Sequence, residues 1–177
     1  MSCERTTKNE KIIIIGSGGS GKSTFAVELG KKLNLPVIHL DREFWKSDWV
    51  KPKAKEWLEK LEVLLSESRW IAEGNYLNSL EYRIGKADSV IFLDFKRSIC
   101  IYRVIKRYFI HRGTTRPDMA EGCNEQIDMD FAKWLWEFPK KVRPQMIEIL
   151  TKYPEKNIII LKNAKDVNLF LNREKRV

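Results

Sequence analysis

The chain has 177 residues, of which 43% are apolar and 32% charged, enough for one buried core and too polar for a membrane protein. No apolar run reaches the ~20 residues a spanning helix needs, and the opening MSCERTTKNE has neither an apolar stretch nor a small-residue cleavage site, so a frayed leader and a cytoplasmic location are expected. The formal net charge of +9 points to an anionic partner without separating nucleic acid from small phosphates. Cys3, Cys100 and Cys123 are odd in number and lack CxxC spacing, which fits reduced thiols rather than a disulfide framework or zinc site.

In chain order, the β-branched run at 12–15 ends in glycines and lacks polar alternation, the composition of a central parallel strand covered on both faces. Residues 23–33 follow as a helix, with Ala26, Leu29 and Leu33 at helical spacing and Asn34 and Pro36 stopping it. A short second strand is expected at 36–40, then an irregular aromatic-rich segment at 41–49. Pro52 opens a helix with an apolar stripe of Trp57, Leu58, Leu61, Leu64 and Leu65.

A third strand is read at 70–73, a turn with a short helix at 74–85, and a fourth strand at 89–93. The helix expected at 97–110 places Ile101, Val104, Ile105 and Tyr108 on one face and Arg103, Lys106 and Arg107 on another. Residues 113–124 lack periodicity and read as a loop. Phe131, Trp134, Leu135 and Phe138 restore helical spacing, and Pro139 and Pro144 are expected to interrupt that helix. A fifth strand at 157–161 and a closing helix at 164–171 complete five βα units. That alternation predicts one α/β domain over residues 1–177, a parallel sheet with helices on both faces and ligands at the strands' carboxyl ends.

The segment Gly16-Ser17-Gly18-Gly19-Ser20-Gly21-Lys22-Ser23 matches GxxxxGK[ST] in full, between an apolar strand and a helix. Its glycines let backbone N–H groups converge on phosphate oxygens, the helix N-terminus adds positive potential, Lys22 offsets charge and Ser23 can ligate Mg²⁺. Thr24 belongs to the same nucleotide-binding stretch. Gly16, Gly18 and Gly21 also form GxGxxG with Asp41 where a dinucleotide fold would hold ribose, but that reading leaves Lys22-Ser23 unexplained. ATP with Mg²⁺ is the expected cofactor pair.

The ordered segments HLDREFW, WIAEGNY, VIFLDF, YRVIKR and HRGTTRPDMAEGC after IIIIGSGGSGKST resemble the bacterial topology-modulation (FlaR-type) proteins. These are similar in turn to the adenylate kinase and shikimate kinase group of P-loop phosphotransferases. The resemblance implies a three-layer α/β/α sandwich with sheet order 2-3-1-4-5, an acceptor-side segment near 41–68 and a lid near 111–126. It implies that Glu73 stands where such kinases place an aspartate near Mg²⁺, that Asp41 and Arg42 face the acceptor, and that Tyr76 and Arg83 help bind it. Arg103 and Arg107 match nucleotide contacts, and Arg112 and Arg116 match lid arginines that stabilise transfer.

Phe44, Trp45 and Trp49 are expected chiefly as lid core, Asp94 as a turn-forming cap, His39 as structural and His111 as surface. The expected activity is transfer of the γ-phosphoryl group of ATP to a small acceptor, a nucleotide or nucleoside first, with a monomer favoured. A nucleotide-dependent nucleic-acid-binding regulator and a plain ATPase are the alternatives, motivated by the basic charge.

Overall fold

The computed structural model describes residues 10–174, so Cys3 and the leader expected at the N-terminus lie outside the described residues. Five parallel strands, β1 (Lys11–Gly16), β2 (Val37–His39), β3 (Trp70–Glu73), β4 (Ser89–Leu93) and β5 (Asn157–Leu161), form one sheet in the order β2-β3-β1-β4-β5. The helices are α1 (Lys22–Leu33), α2 (Leu40–Phe44), α3 (Ala54–Leu64), α4 (Leu80–Lys86), α5 (Arg97–His111), α6 (Met129–Thr151) and α7 (Ala164–Arg173). The α/β/α architecture and strand order are those expected from the sequence.

The unbroken isoleucine run of β1 is explained by its two faces, because successive side chains of a strand point to opposite sides. Ile13 and Ile15 enter a core shared with Trp57 and Leu61 of α3, Leu80 and Ile84 of α4, and Phe138, Met146 and Leu150 of α6. Ile12 and Ile14 enter the opposite core with Phe25, Ala26 and Leu29 of α1 and Leu171 of α7. A polar residue at any of these four positions would be buried without water on either side. α1 ends where Asn34 takes a left-handed conformation, φ 52°, and its N–H bonds the Gly30 carbonyl, a cap asparagine tolerates.

Four details differ from the sequence expectation. Residues 41–49 are not wholly irregular, since α2 covers Leu40–Phe44 and a 3₁₀ turn covers Ser47–Trp49. Leu58 and Ile105 point to solvent, while Trp57, Leu61 and Val104 are buried as expected and Cys100 joins Val104 on the buried face of α5. Pro139 and Pro144 do not interrupt α6, which runs through both. Each costs about 3 kcal/mol in a helix interior, but Leu135, Phe138, Met146 and Leu150 are buried along its length, each worth about 1.5–3 kcal/mol, so burial outweighs the missing N–H groups. Asp94 is no turn cap: its carboxylate pairs bidentately with Arg143 of α6, Oδ1 to Nε and Oδ2 to Nη2 at 2.8 Å each.

Candidate active site

The loop joining β1 to α1 lies at the carboxyl edge of the sheet, and its conformation requires its glycines. Gly16 (φ 148°) and Gly19 (φ 73°) would place a Cβ 2.6 Å from the Leu93 carbonyl oxygen and 2.4 Å from the Cys100 carbonyl oxygen. Both obstacles are backbone, so neither can yield. The loop is thus wedged between the end of β4 and the first turns of α5, with Gly18 against Phe131 and Trp134 of α6. Lys22 opens α1 and its Nζ donates to the Ser17 carbonyl at 2.9 Å. Ser17 and Ser20 are buried, Ser23 is half-buried and Thr24 is exposed.

Gly19→Ala combines a left-handed alanine with a backbone collision and is expected to cost about 2–4 kcal/mol. Urea unfolding should show the loss as a lower midpoint.

Beside the loop, the neighbouring strands deliver acidic groups. Parallel pairing sets Glu73 at the end of β3 opposite Ile14 of β1 and His39 of β2. Glu73 is 1% exposed; its Oε1 meets His39 Nδ1 at 2.8 Å, while Oε2 is buried with no hydrogen-bond partner. The bond to Glu73 raises the His39 pKa above its ordinary value against the opposing effect of burial. Asp41, just inside α2, accepts a 2.7 Å hydrogen bond from the Tyr76 hydroxyl. Burial pushes the Asp41 carboxyl above the usual carboxylate range, and the Glu73 charge adds to the shift. Tyr76, Lys22 and Arg116 oppose it, which places all of these groups within electrostatic reach of Asp41. Desolvation, followed by the Asp41 charge, also raises the Tyr76 phenol. Tyr76 stands against Phe44 and Trp57, ring centroids 4.4 and 5.3 Å away.

Arg83 lies beneath this cluster rather than in it. It is 0% exposed and donates from Nη1 to the Gly74 carbonyl at 3.0 Å and from Nη2 to the Tyr76 carbonyl at 2.8 Å. Burial pulls its pKa down to about 10. Arg42 is exposed.

Segment 112–127 carries its own small core of Met119, Ala120 and Cys123 against Trp45 and Trp49. Polar contacts tie the same surfaces: Ser47 Oγ donates to the Glu121 carbonyl at 3.1 Å, Trp49 Nε1 to the Asn124 carbonyl at 3.2 Å, and Cys123 Sγ to the Lys46 carbonyl at 3.3 Å. Trp45 and Trp49 thus pack with segment 112–127, whereas Phe44 packs against the main core.

The arginines divide. Arg103 Nη1 donates to the Ser20 carbonyl at 3.1 Å and so stands at the phosphate loop. Arg107 and Arg116 meet on one buried carboxylate, with Glu125 Oε1 2.7 Å from Arg107 Nε and Oε2 2.7 Å from Arg116 Nε. Arg116 Nη1 also binds Asp118 at 2.8 Å. Arg112 is exposed, its guanidinium 5.9 Å from the Tyr108 ring centre.

Glu125, Asp118 and the His39–Glu73 pair escaped sequence reasoning. Glu125 sits in an aperiodic stretch, and its only signal was that Arg107 and Arg116 needed an acidic counterpart. A cleft of about 180 Å³ lies between α2 and α3, but its lining contains neither Asp41, Glu73 nor any phosphate-loop residue, so it is separate from this chemistry. No group of three or more metal-ligating side chains gathers among the described residues, and no helix among them is long and apolar enough to cross a membrane.

No family profile matches the chain, and no curated protein matches it in sequence. Solved structures do match in shape. Shikimate kinase from Acinetobacter baumannii in complex with shikimate is similar at a TM-score of 0.61 and 15% identity, over 93% of this chain and 89% of that one. A gluconokinase from Sinorhizobium meliloti is similar at 0.53 and 15%, over 93% of each chain. A sugar kinase from a Janibacter species also gives 0.53 and 15%, over 92% of this chain and 90% of that one. At such identities the likeness establishes the fold alone, one this chain shares with these three kinases.

Proposed function

We propose that this chain is an ATP-dependent phosphotransferase that moves the γ-phosphoryl group to a hydroxyl of a small molecule. One observation carries the reading: an intact phosphate loop with Lys22 lies at the same sheet edge as Glu73, which ends the adjoining strand β3, and Asp41, which follows β2 at the start of α2. Nucleotides and nucleosides are the acceptors that the kinase resemblance suggests.

The loop amides and the α1 N-terminus bind the phosphates, and Lys22 neutralises charge on them. Arg103 reaches the same loop from α5. Asp41 orients the acceptor hydroxyl and takes its proton, held in place by the Tyr76 hydroxyl. Ser23 and Glu73 fit a magnesium site: the Glu73 oxygen left buried without a partner suits a metal-bound water, and Ser23 is the P-loop hydroxyl. Mg²⁺ supplies neutralisation of phosphate charge. Arg116, within reach of Asp41, faces the transferred group, and Arg112 joins it only when the lid moves.

The test is acceptor-dependent ADP release across nucleosides, nucleotides and small alcohols. With any acceptor that works, Asp41→Asn should lower kcat by about 10²–10⁴-fold and leave ATP affinity unchanged by calorimetry. Equal loss of ATP binding would assign Asp41 to the nucleotide instead.

A further inference from the structure

The outward face of α5 is apolar where a solvated helix would be polar. Tyr102, Ile105 and Phe109 recur at i, i+3 and i+7 and are 65%, 46% and 72% exposed, and Ile110 beside them is 63% exposed. The inner side of the helix already fills a core with Cys100 and Val104, so the outer stripe is a second apolar face. Single exposed apolar residues are ordinary, but four large ones grouped on one helix face mark a surface that meets something apolar.

Charge selects the occupant. Between Asp94 and Asp118 the chain has seven Lys and Arg and no Asp or Glu. Four of the cations are used within the molecule: Arg103 on the Ser20 carbonyl, Arg107 and Arg116 on Glu125, and Arg97 over the Trp136 ring at 3.9 Å. Lys96, Lys106 and Arg112 are exposed, and no salt bridge among the described residues includes them. Lys106 is four residues from both Tyr102 and Ile110, which sets a cation within the apolar face. The neighbouring helix α6 exposes Met129, Lys133 and Trp136. Of its acids there, Asp128 caps the helix through the Phe131 N–H, Glu137 pairs with Lys141, and Asp130 is exposed.

A second copy of the chain fits poorly, because two-fold pairing of α5 with itself sets one acid-free helix against another and buries cations against like charge. Nucleic acid would meet the cations, but Ile105 and Ile110 give bases no ring to stack on. An anionic bilayer surface meets both features: aromatic and aliphatic side chains enter its interface while lysine and arginine stems reach the phosphates. It also needs no complementary groove, which suits the convex face of a single helix.

We propose that the outward face of α5 docks reversibly on an anionic phospholipid surface, with Tyr102, Ile105, Phe109 and Ile110 in the interface and Lys96, Lys106 and Arg112 on the lipid phosphates. This association needs no spanning helix and stands independently of the phosphotransferase reading.

The test is co-sedimentation of the full chain with vesicles of phosphatidylcholine alone and of equal parts phosphatidylcholine and phosphatidylglycerol. Binding is expected to the anionic vesicles only and should weaken as salt is raised. Phe109→Ser should lower it about tenfold through lost apolar burial, and Lys106→Glu about tenfold or more through charge reversal. Both alter exposed side chains, so circular dichroism should match the unmodified protein. Absence of binding to anionic vesicles overturns the proposal, as does binding that both variants leave unchanged. A dimer in sedimentation velocity that Phe109→Ser disperses would give the face to a second copy, and DNA or RNA binding that Phe109→Ser abolishes would give it to nucleic acid; either result also overturns it.

Discussion

Lys22→Ala is expected to fold normally and to lose phosphoryl transfer by about a hundred- to a thousandfold, the cost of removing one preorganised charge from a developing anion. Folding should survive because the side chain is half-buried and its hydrogen bond is to the Ser17 carbonyl, which keeps a second donor in the Ser20 N–H at 3.2 Å. The loop is instead held by Gly16, Gly19 and the packing of Gly18 on Phe131 and Trp134, none of which the substitution touches. Calorimetry with ATP and magnesium should show weaker binding, and unfolding should show an unchanged midpoint. Unaltered turnover with a working acceptor would remove Lys22 from the reaction and with it the strongest ground for a kinase.

Arg83→Ala should act in the reverse manner, on stability first and catalysis second. Truncation leaves the Gly74 carbonyl without its side-chain donor, costing about 1–3 kcal/mol when buried, removes one of three donors to the Tyr76 carbonyl, which keeps the Ser79 N–H and hydroxyl, and opens a cavity in a fully packed position. Part of this is offset, because the guanidinium is itself desolvated, as its lowered pKa of about 10 records. The net expectation is a loss of about 2–4 kcal/mol. Arg83→Met keeps most of the volume and isolates the hydrogen bonds; it should recover only the cavity share. Because Arg83 pins the main chain at Tyr76, and the Tyr76 hydroxyl holds Asp41, both variants should lower kcat more than they raise KM for ATP. Stability equal to the unmodified protein in both would refute this role.

Much of the scaffold was legible in local sequence. The isoleucines of β1, the SVIFL of β4 and the NIIIL of β5 gave strands at their observed positions, and Asn34 marked the end of α1. The failures share a cause. Helix breaking by Pro139 and Pro144, and the inward placement of Leu58 and Ile105, were judged from local rules, while the outcome depended on which surface each helix met. Arg83 shows the same dependence in the site: the kinase resemblance implied an acceptor contact, while the fold buries it beneath Gly74 and Tyr76, where Nη1 and Nη2 meet main chain.

The sequence alone determined the phosphate loop, since eight contiguous residues between a strand and a helix specify a backbone path through local conformational preference and sterics. It also determined the five βα units, from which the layered architecture follows. Tertiary structure decided which charges are available: the His39–Glu73 contact joins two strands, the Asp94–Arg143 pair joins β4 to α6, and Glu125 gathers Arg107 and Arg116 from a helix and a loop. Those pairings form between groups far apart in the chain, and their strength depends on distance and burial, quantities that exist only once the chain is folded.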